Sequence, residues 1–271
     1  MVLKFIALGD MGSGEKEQYD VSKGIQHIIK SLKKQHLTNV SFIVGLGDNI
    51  YECGVKSVND PQFKDKFEKP YKKIDKDFYM CLGNHDYSYP ESCGPEYAES
   101  PLHQIEYSKI SKKWILPDKY YYYTHSAGKN CDVDFFVMDT NIDRMSKEET
   151  STQMKFLVDA INNSKAKWKI LYGHHPWRSL GGHGHAWMEN KELEDYFKEL
   201  VKKTTGKGKS TFDLYMCGHD HNKQYLEIDV SVNKKNKKIP LVVCGTGGKI
   251  ERFDAPKIKN CEKNDYVIEY F

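Results

Sequence analysis

The chain lacks any apolar run long enough to cross a bilayer. Its longest candidates, Phe42 to Leu46 and Phe135 to Met138, fall far short of the roughly 18 residues a membrane helix needs. CxxC spacing is absent too. The seven cysteines, Cys53, Cys81, Cys93, Cys131, Cys217, Cys244 and Cys261, are odd in number, and Cys81, Cys217 and Cys244 end apolar runs that read as buried strands. This argues against a disulfide framework or a zinc ribbon and makes a reducing compartment the expectation. No charge of one sign dominates: 41 basic and 38 acidic residues leave a net +3. The lysine clusters (Lys202, Lys203, Lys207, Lys209, and Lys234 to Lys238) are scattered, so they read as solvated loops rather than the focused basic face of a nucleic-acid binder. No nucleic-acid partner is expected. Repeats, low-complexity stretches and long Pro/Gly/Ser linkers are also missing, so residues 1–271 are expected to form one domain. Met1 leads straight into a strand-like segment without the pattern of a signal peptide. The expectation is a cytoplasmic protein or a secreted form already relieved of its leader.

What is present is an alternation of strand and helix patterns. Strands are predicted at Val2 to Leu8, Ser41 to Leu46, Phe78 to Leu82, Tyr120 to His125, Val133 to Met138, Lys169 to Tyr172, Leu214 to Cys217, Tyr225 to Val230, Leu241 to Cys244 and Tyr266 to Phe271. Helical spacing of Val21, Ile25, Ile28, Ile29 and Leu32 predicts a helix over Val21 to Gln35. Others are predicted at Ser151 to Asn162 and Glu189 to Lys203, and Pro61 to Ile74 is helix-compatible. The order implies an α/β fold with a two-sheet core flanked by helices. Tyr120 to Tyr123 alternate along a strand and read as core and surface packing.

Five predicted strands run directly into a glycine and a ligand-type residue. They are Gly9-Asp10-Met11-Gly12, Gly47-Asp48-Asn49-Ile50-Tyr51, Gly83-Asn84-His85-Asp86, Gly173-His174-His175 and Gly218-His219-Asp220-His221. Taken singly, Asp10 or Asp48 could cap a helix or turn, Asn84 could be a turn residue, and the 219–221 pair an exposed loop. Taken together they suggest one crevice, because loops at the carboxyl ends of sheet strands converge. Two carboxylates, an amide, a phenol and three imidazoles exceed a structural zinc site, and they suffice for two ions only if one group is shared. Asp48 is the natural bridge. Oxygen donors suit a highly charged ion and imidazoles a divalent one, so the set divides unequally.

These motifs resemble the purple acid phosphatases of the calcineurin-like metallophosphoesterase superfamily, especially the tartrate-resistant animal type. Gly12 stands where most of that superfamily has histidine, and Gly-Asp-x-x-Tyr at 47 to 51 marks the purple branch. The stretches Gln104 to Trp114 and Gly218 to Leu226 are also similar to that family, and the likeness runs from about Leu3 to Gly248. The resemblance implies a four-layer α/β/β/α sandwich of two mixed sheets. It implies that Asp10, Tyr51 and His221 hold Fe(III), that Asn84, His174 and His219 hold Fe(II), Zn(II) or Mn(II), and that Asp48 bridges. With a bridging hydroxide, the set leaves about one positive charge to attract a phosphate dianion.

The implied reaction is hydrolysis of phosphate monoesters at mildly acidic pH by attack of a metal-bound hydroxide. Its substrate would be a small phosphomonoester or a phosphoprotein, and the protein a monomer. His85 and His183 match the family's non-ligand histidines and would protonate the leaving group, although His85 reads equally as an orienting group. By the same comparison His175, His185 and Asp220 are spectators, Asp86 hydrogen-bonds a ligand, and Trp177 and Trp187 wall the site. The chain departs from the family in three ways. No cysteines stand where the animal enzymes place a disulfide, the stretch Asn141 to Thr152 is short, and little follows Gly248, so edge strands are expected to be missing. Two alternatives stand beside this reading. An all-divalent phosphodiesterase is opposed by Gly12 and Tyr51, and a silent scaffold of the same fold by the seven filled ligand positions.

Overall fold

The computed structural model describes residues 2–89, 92–129, 131–184, 186, 190–205, 211–232 and 235–251. The predicted strand Tyr266 to Phe271, as well as His185, Trp187, Lys207, Lys209 and Lys234, lie outside the described residues.

Short apolar runs rich in Val, Ile, Phe and Tyr favour a pleated surface, and they form two sheets. The first contains β1 (Phe5–Leu8), β2 (Phe42–Gly45), β3 (Phe78–Met80) and β4 (Trp114–Ile115), parallel and in that order. Every residue of β2 is buried, as expected for a parallel strand covered on both faces. The second contains β5 (Tyr121–Ser126), β6 (Asp132–Val137), β7 (Trp168–Tyr172), β8 (Leu214–Cys217), β9 (Lys223–Val232) and β10 (Lys235–Cys244), in the order β5-β6-β7-β8-β10-β9. Here β5 runs antiparallel to β6 and β9 to β10, and the remaining pairs are parallel. Among the described residues, then, one sheet is parallel and one mixed.

Strand periodicity creates the layers, because alternate side chains point to opposite faces. Phe135 of β6 turns inward and meets Phe5 and Phe42 of the first sheet edge-on, with ring centroids 5.3 Å apart in each pair. Its neighbours Phe136 and Met138 belong to the separate outer core. The outer face of the first sheet is covered by α1 (Lys16–Lys34) and by α2 (Pro61–Phe63) with the π turn Lys64–Glu68. There Phe67 packs on Phe78 and Trp114 at 5.1 and 4.8 Å. A further helix, α3 (Ser100–Tyr107), leads toward β4. Over the second sheet lie α4 (Lys147–Asn163) and α5 (Lys191–Thr204), which bury Leu157 and Ile161, and Phe197, Leu200 and Val201. The layers are helix, sheet, sheet, helix.

Helix ends follow local chemistry. A reciprocal capping box links Ser146 and Glu149 and starts α4, an arrangement worth about 1 kcal/mol. Asn190 caps α5 by accepting from the Leu193 amide at 3.0 Å. Lys202 and Lys203, counted among the solvated lysine clusters but also within the predicted helix Glu189 to Lys203, occupy the last turn of α5, where positive charge complements the helix dipole. Lys235 to Lys238, expected in a loop, instead open β10, and Lys238 pairs with Glu227 across the hairpin at 2.9 Å. β4 and α3 were not predicted, being too short for their periodicity to register.

Cys53 and Cys93 form a disulfide with Cα atoms 5.7 Å apart. This corrects the expectation of unpaired cysteines and removes the ground for preferring a reducing compartment. The two residues lie in loops 40 positions apart, so no local spacing announces the pair. Cys81 and Cys217 are buried and free, as their strand positions imply.

Candidate metal centre

Each of the five motif loops leaves the carboxyl end of a strand: β1, β2, β3, β7 and β8. The loops turn so sharply that Asp10, Asp48 and His219 take positive φ angles of 57°, 49° and 71°. Non-glycine residues in this region are uncommon and cost energy, and such backbone clusters at functional sites. Two glycines are required for steric reasons. A Cβ on Gly12 would lie 1.8 Å from the Asn49 carbonyl oxygen, and one on Gly83 would lie 2.2 Å from Asp48 Oδ1. Gly12 therefore cannot carry a side chain while the 47–51 loop keeps this course.

Six of the seven expected ligands come together in two groups of three, with Asp48 beside them. In the first, the Tyr51 hydroxyl donates to Asp10 Oδ1 at 2.9 Å and lies 3.0 Å from His221 Nε2, which is 3.3 Å from Asp10 Oδ1. In the second, His174 Nε2 and His219 Nδ1 lie 3.0 and 3.1 Å from Asn84 Oδ1 and 3.2 Å from each other. Ligand atoms held about 2.1 Å from one ion at right angles are separated by about 3.0 Å, so each triangle is the right size for a metal. Asp48 Oδ2 lies 3.3 Å from His174 Nε2, and the potential ligand atoms of Asp10, Asp48 and His174 all fall within 4.8 Å of one another.

The imidazoles are turned by their outer nitrogens, because whatever one ring nitrogen donates to fixes the other as a ligand. His174 Nδ1 donates to the Leu46 carbonyl at 2.8 Å, and His221 Nδ1 lies 3.0 Å from Glu251 Oε1. Three buried acidic groups crowd a small volume. Burial opposes ionisation of His174, but the adjoining Asp48 carboxylate outweighs it and raises the pKa to about 10. Asp48 is itself buried, yet His174 holds its carboxyl well below the usual range. Burial and the charges of Asp10 and Asp48 raise the Tyr51 phenol above its ordinary value. A cation is what this arrangement calls for, since it would discharge all three acidic groups at once.

His85 and His183 both line the adjoining cavity of about 510 Å³. His85 Nδ1 donates to the Glu52 carbonyl at 2.6 Å, and its amide donates to Asp48 Oδ1 at 2.9 Å. The ring of His183 sits with its centroid 4.0 Å from that of His219.

Four expectations need correction. Asp86 does not bond a ligand side chain. It accepts from the amides of Asn49, Ile50 and Gly83 and from the side chains of Asn49 and Gln104, at 2.8 to 3.3 Å, and so ties the 47–51 loop to the 83–86 loop. Burial and the Asp48 charge push its pKa up to about 6. Asp220 is no spectator, since it accepts from the Ser179 hydroxyl and, at 3.0 Å, from the amide of His183, which positions the loop carrying that histidine. His175 lines the cavity and is held by Thr140 at 2.8 Å, with ligand atoms near those of His174 and His219. Trp177 stacks on Phe197 at 4.9 Å inside the helix-side core and does not wall the site. Sequence reasoning missed Arg144 and Lys191 at the cavity. It also missed Lys249 and Glu251, whose role depends on a chain reversal after β10 that no motif marks.

A model of the calcineurin-like phosphoesterase family matches residues 3–223. Tartrate-resistant acid phosphatase type 5 of Homo sapiens is 27% identical over 247 residues, covering 83% of this chain and 69% of its own length. Purple acid phosphatase 17 of Arabidopsis thaliana is 28% identical over 277 residues, covering 93% and 70%. Among solved structures, GAP50, the anchor in the inner membrane complex of Plasmodium, superposes with a TM-score of 0.67 at 24% identity, over 93% of this chain and 76% of that one. Purple acid phosphatase PPD1 from yellow lupin (Lupinus luteus) seeds gives 0.62 at 17% identity, over 99% and 48%. At such identities the structural likenesses establish the fold.

Proposed function

The chain belongs to the calcineurin-like phosphoesterase family, and from that membership we propose that it is an acid phosphatase that hydrolyses phosphate monoesters at a dinuclear Fe(III)–M(II) centre. The observation that carries this reading is the pair of ligand triangles with Asp48 beside them. Asp10, Tyr51 and His221 would hold the trivalent ion, and Asn84, His174 and His219 an Fe(II), Zn(II) or Mn(II), with Asp48 between. When bound, the two ions supply a clamp for phosphate oxygens and acidify the attacking water.

The chain's own residues do the rest. The Leu46 carbonyl and the Glu251 carboxylate turn His174 and His221 so that Nε2 faces inward in each. Asp86 and Gln104 hold the two loops that carry Asp48, Tyr51 and Asn84. His183, set beside His219, supplies a proton to the leaving oxygen, a contribution of about 10² to 10⁴ in rate. With Nδ1 of His85 committed to Glu52, its Nε2 is the atom that can exchange a proton with substrate. Arg144 and Lys191 line the cavity but are paired with Asp143 and Asp195 at 3.3 and 2.5 Å, so the attraction for a small phosphomonoester or a phosphoprotein side chain would come mainly from the two bound ions.

The likeness to a membrane-complex anchor favours a second reading, a scaffold without turnover. Purified protein assayed with a chromogenic aryl phosphate, with metal analysis and a visible spectrum, separates the two. The expected result is activity, iron plus a second metal, and a visible band that Tyr51→Phe abolishes. Both metals bound without activity would leave the scaffold, and active protein lacking iron and the band would leave an all-divalent phosphoesterase.

A further inference from the structure

We propose that Glu251 is a positioning residue that makes the Asp10–Tyr51–His221 half the tighter of the two metal sites, an inference that rests on the two-ion reading above. After β10 the chain doubles back over the site. The Gly247 amide donates to the Gly9 carbonyl at 2.9 Å and the Gly245 amide to that of Asn222 at 3.1 Å. This strap brings the Glu251 amide to the His221 carbonyl at 2.9 Å and Glu251 Oε1 to His221 Nδ1 at 3.0 Å. Backbone and side chain thus grip one residue. Lys249 holds the strap from the other side, 2.9 Å from Glu52 Oε1 and 4.7 Å above the centre of the Tyr51 ring.

The consequence is chemical as well as geometric. An Nδ1–H bound to a carboxylate fixes the tautomer that exposes Nε2 and makes that nitrogen a stronger donor than one bound to a neutral carbonyl. His221 has the carboxylate, whereas His174 has the Leu46 carbonyl. Glu251 therefore adds electron density to the half that already contains Asp10 and Tyr51. The more highly charged ion goes there.

The test uses metal-loaded full-length protein, titrated with a chelator, with both metals counted by mass spectrometry and the visible band recorded. Glu251→Ala is expected to release the ion at the Tyr51 half at a chelator concentration lowered by about 10- to 100-fold, while the second ion stays at its wild-type midpoint. The band should fade with the first ion. Glu251→Gln, which retains an acceptor without the charge, should give an intermediate midpoint and a shifted band. Glu251 is 47% exposed, so melting of the metal-free variants should match that of metal-free wild type. Wild-type midpoints in the Ala variant, equal loss of both ions, or a large drop in metal-free melting would each overturn the proposal. Wild-type protein that holds fewer than two ions would overturn the two-ion reading itself, and this inference with it.

Discussion

Around Asp10, Tyr51 and His221 the donors are two acidic oxygens and an imidazole backed by a carboxylate, whereas around Asn84, His174 and His219 they are a neutral amide and two imidazoles, one backed by a carbonyl. The spacings within the two groups are nearly the same, so size does not distinguish them. Charge does. The first half carries its own carboxylate and an ionisable phenol, while the second depends on Asp48, 3.3 Å from His174. A cluster with a shared carboxylate and unequal partners is the arrangement expected for two ions of different charge.

The comparison can be broken most severely at the shared group. Asp48→Asn should cost both halves their metal and lower kcat/KM for an aryl phosphate by about a thousandfold or more, as expected on removing a preorganised charge. Loss of one ion only would show that Asp48 belongs to one half. Next in size is His183→Asn, for which a drop in kcat of about a hundredfold is expected with both metals retained. An unchanged kcat would transfer the proton-donor role to His85.

The smallest effect sharpens the dependence of the second half on Asp48. The His174 pKa is raised from 6.5 to about 10 by Asp48, so in metal-free protein the pair's contribution is complete below about pH 6.5 and is lost as pH rises through about 10. Asp48, whose pKa is lowered, contributes above its ordinary 3.8 and loses that contribution on acidification. The melting temperature of metal-free protein should therefore fall by a few degrees between pH 7 and 10, at about 2–4 °C per kcal/mol for this size. His174→Gln should flatten that slope, and a wild-type profile already flat would count against the pair.

Much of the fold was legible because its strands are short apolar runs, five of which lead into a glycine and a ligand-type residue. The predicted Ser41 to Leu46 and Leu214 to Cys217 match β2 and β8 within two residues at either end. Missed elements were those whose stability is not local. β4 contributes two residues and exists because Trp114 and Ile115 pair with Phe78 and Tyr79. The Cys53–Cys93 bond also joins segments with no sequence relation. Asp86 and Asp220 were read as a ligand partner and a spectator, since a sequence shows that a carboxylate is present but not which five or two donors will surround it.

By itself, the sequence determined which residue types stand at the ends of the strands. Seven metal-type donors following glycine at five strand ends need no tertiary information to be recognised, because strand direction and sheet geometry send such loops to one edge. Only the tertiary structure decided how those donors divide, which nitrogen of each imidazole faces inward, and that Glu251 reaches back to His221. These are matters of orientation at about 3 Å. They are fixed by backbone turns at Asp10, Asp48 and His219 that are costly in isolation and are held by the packed sheets beneath them.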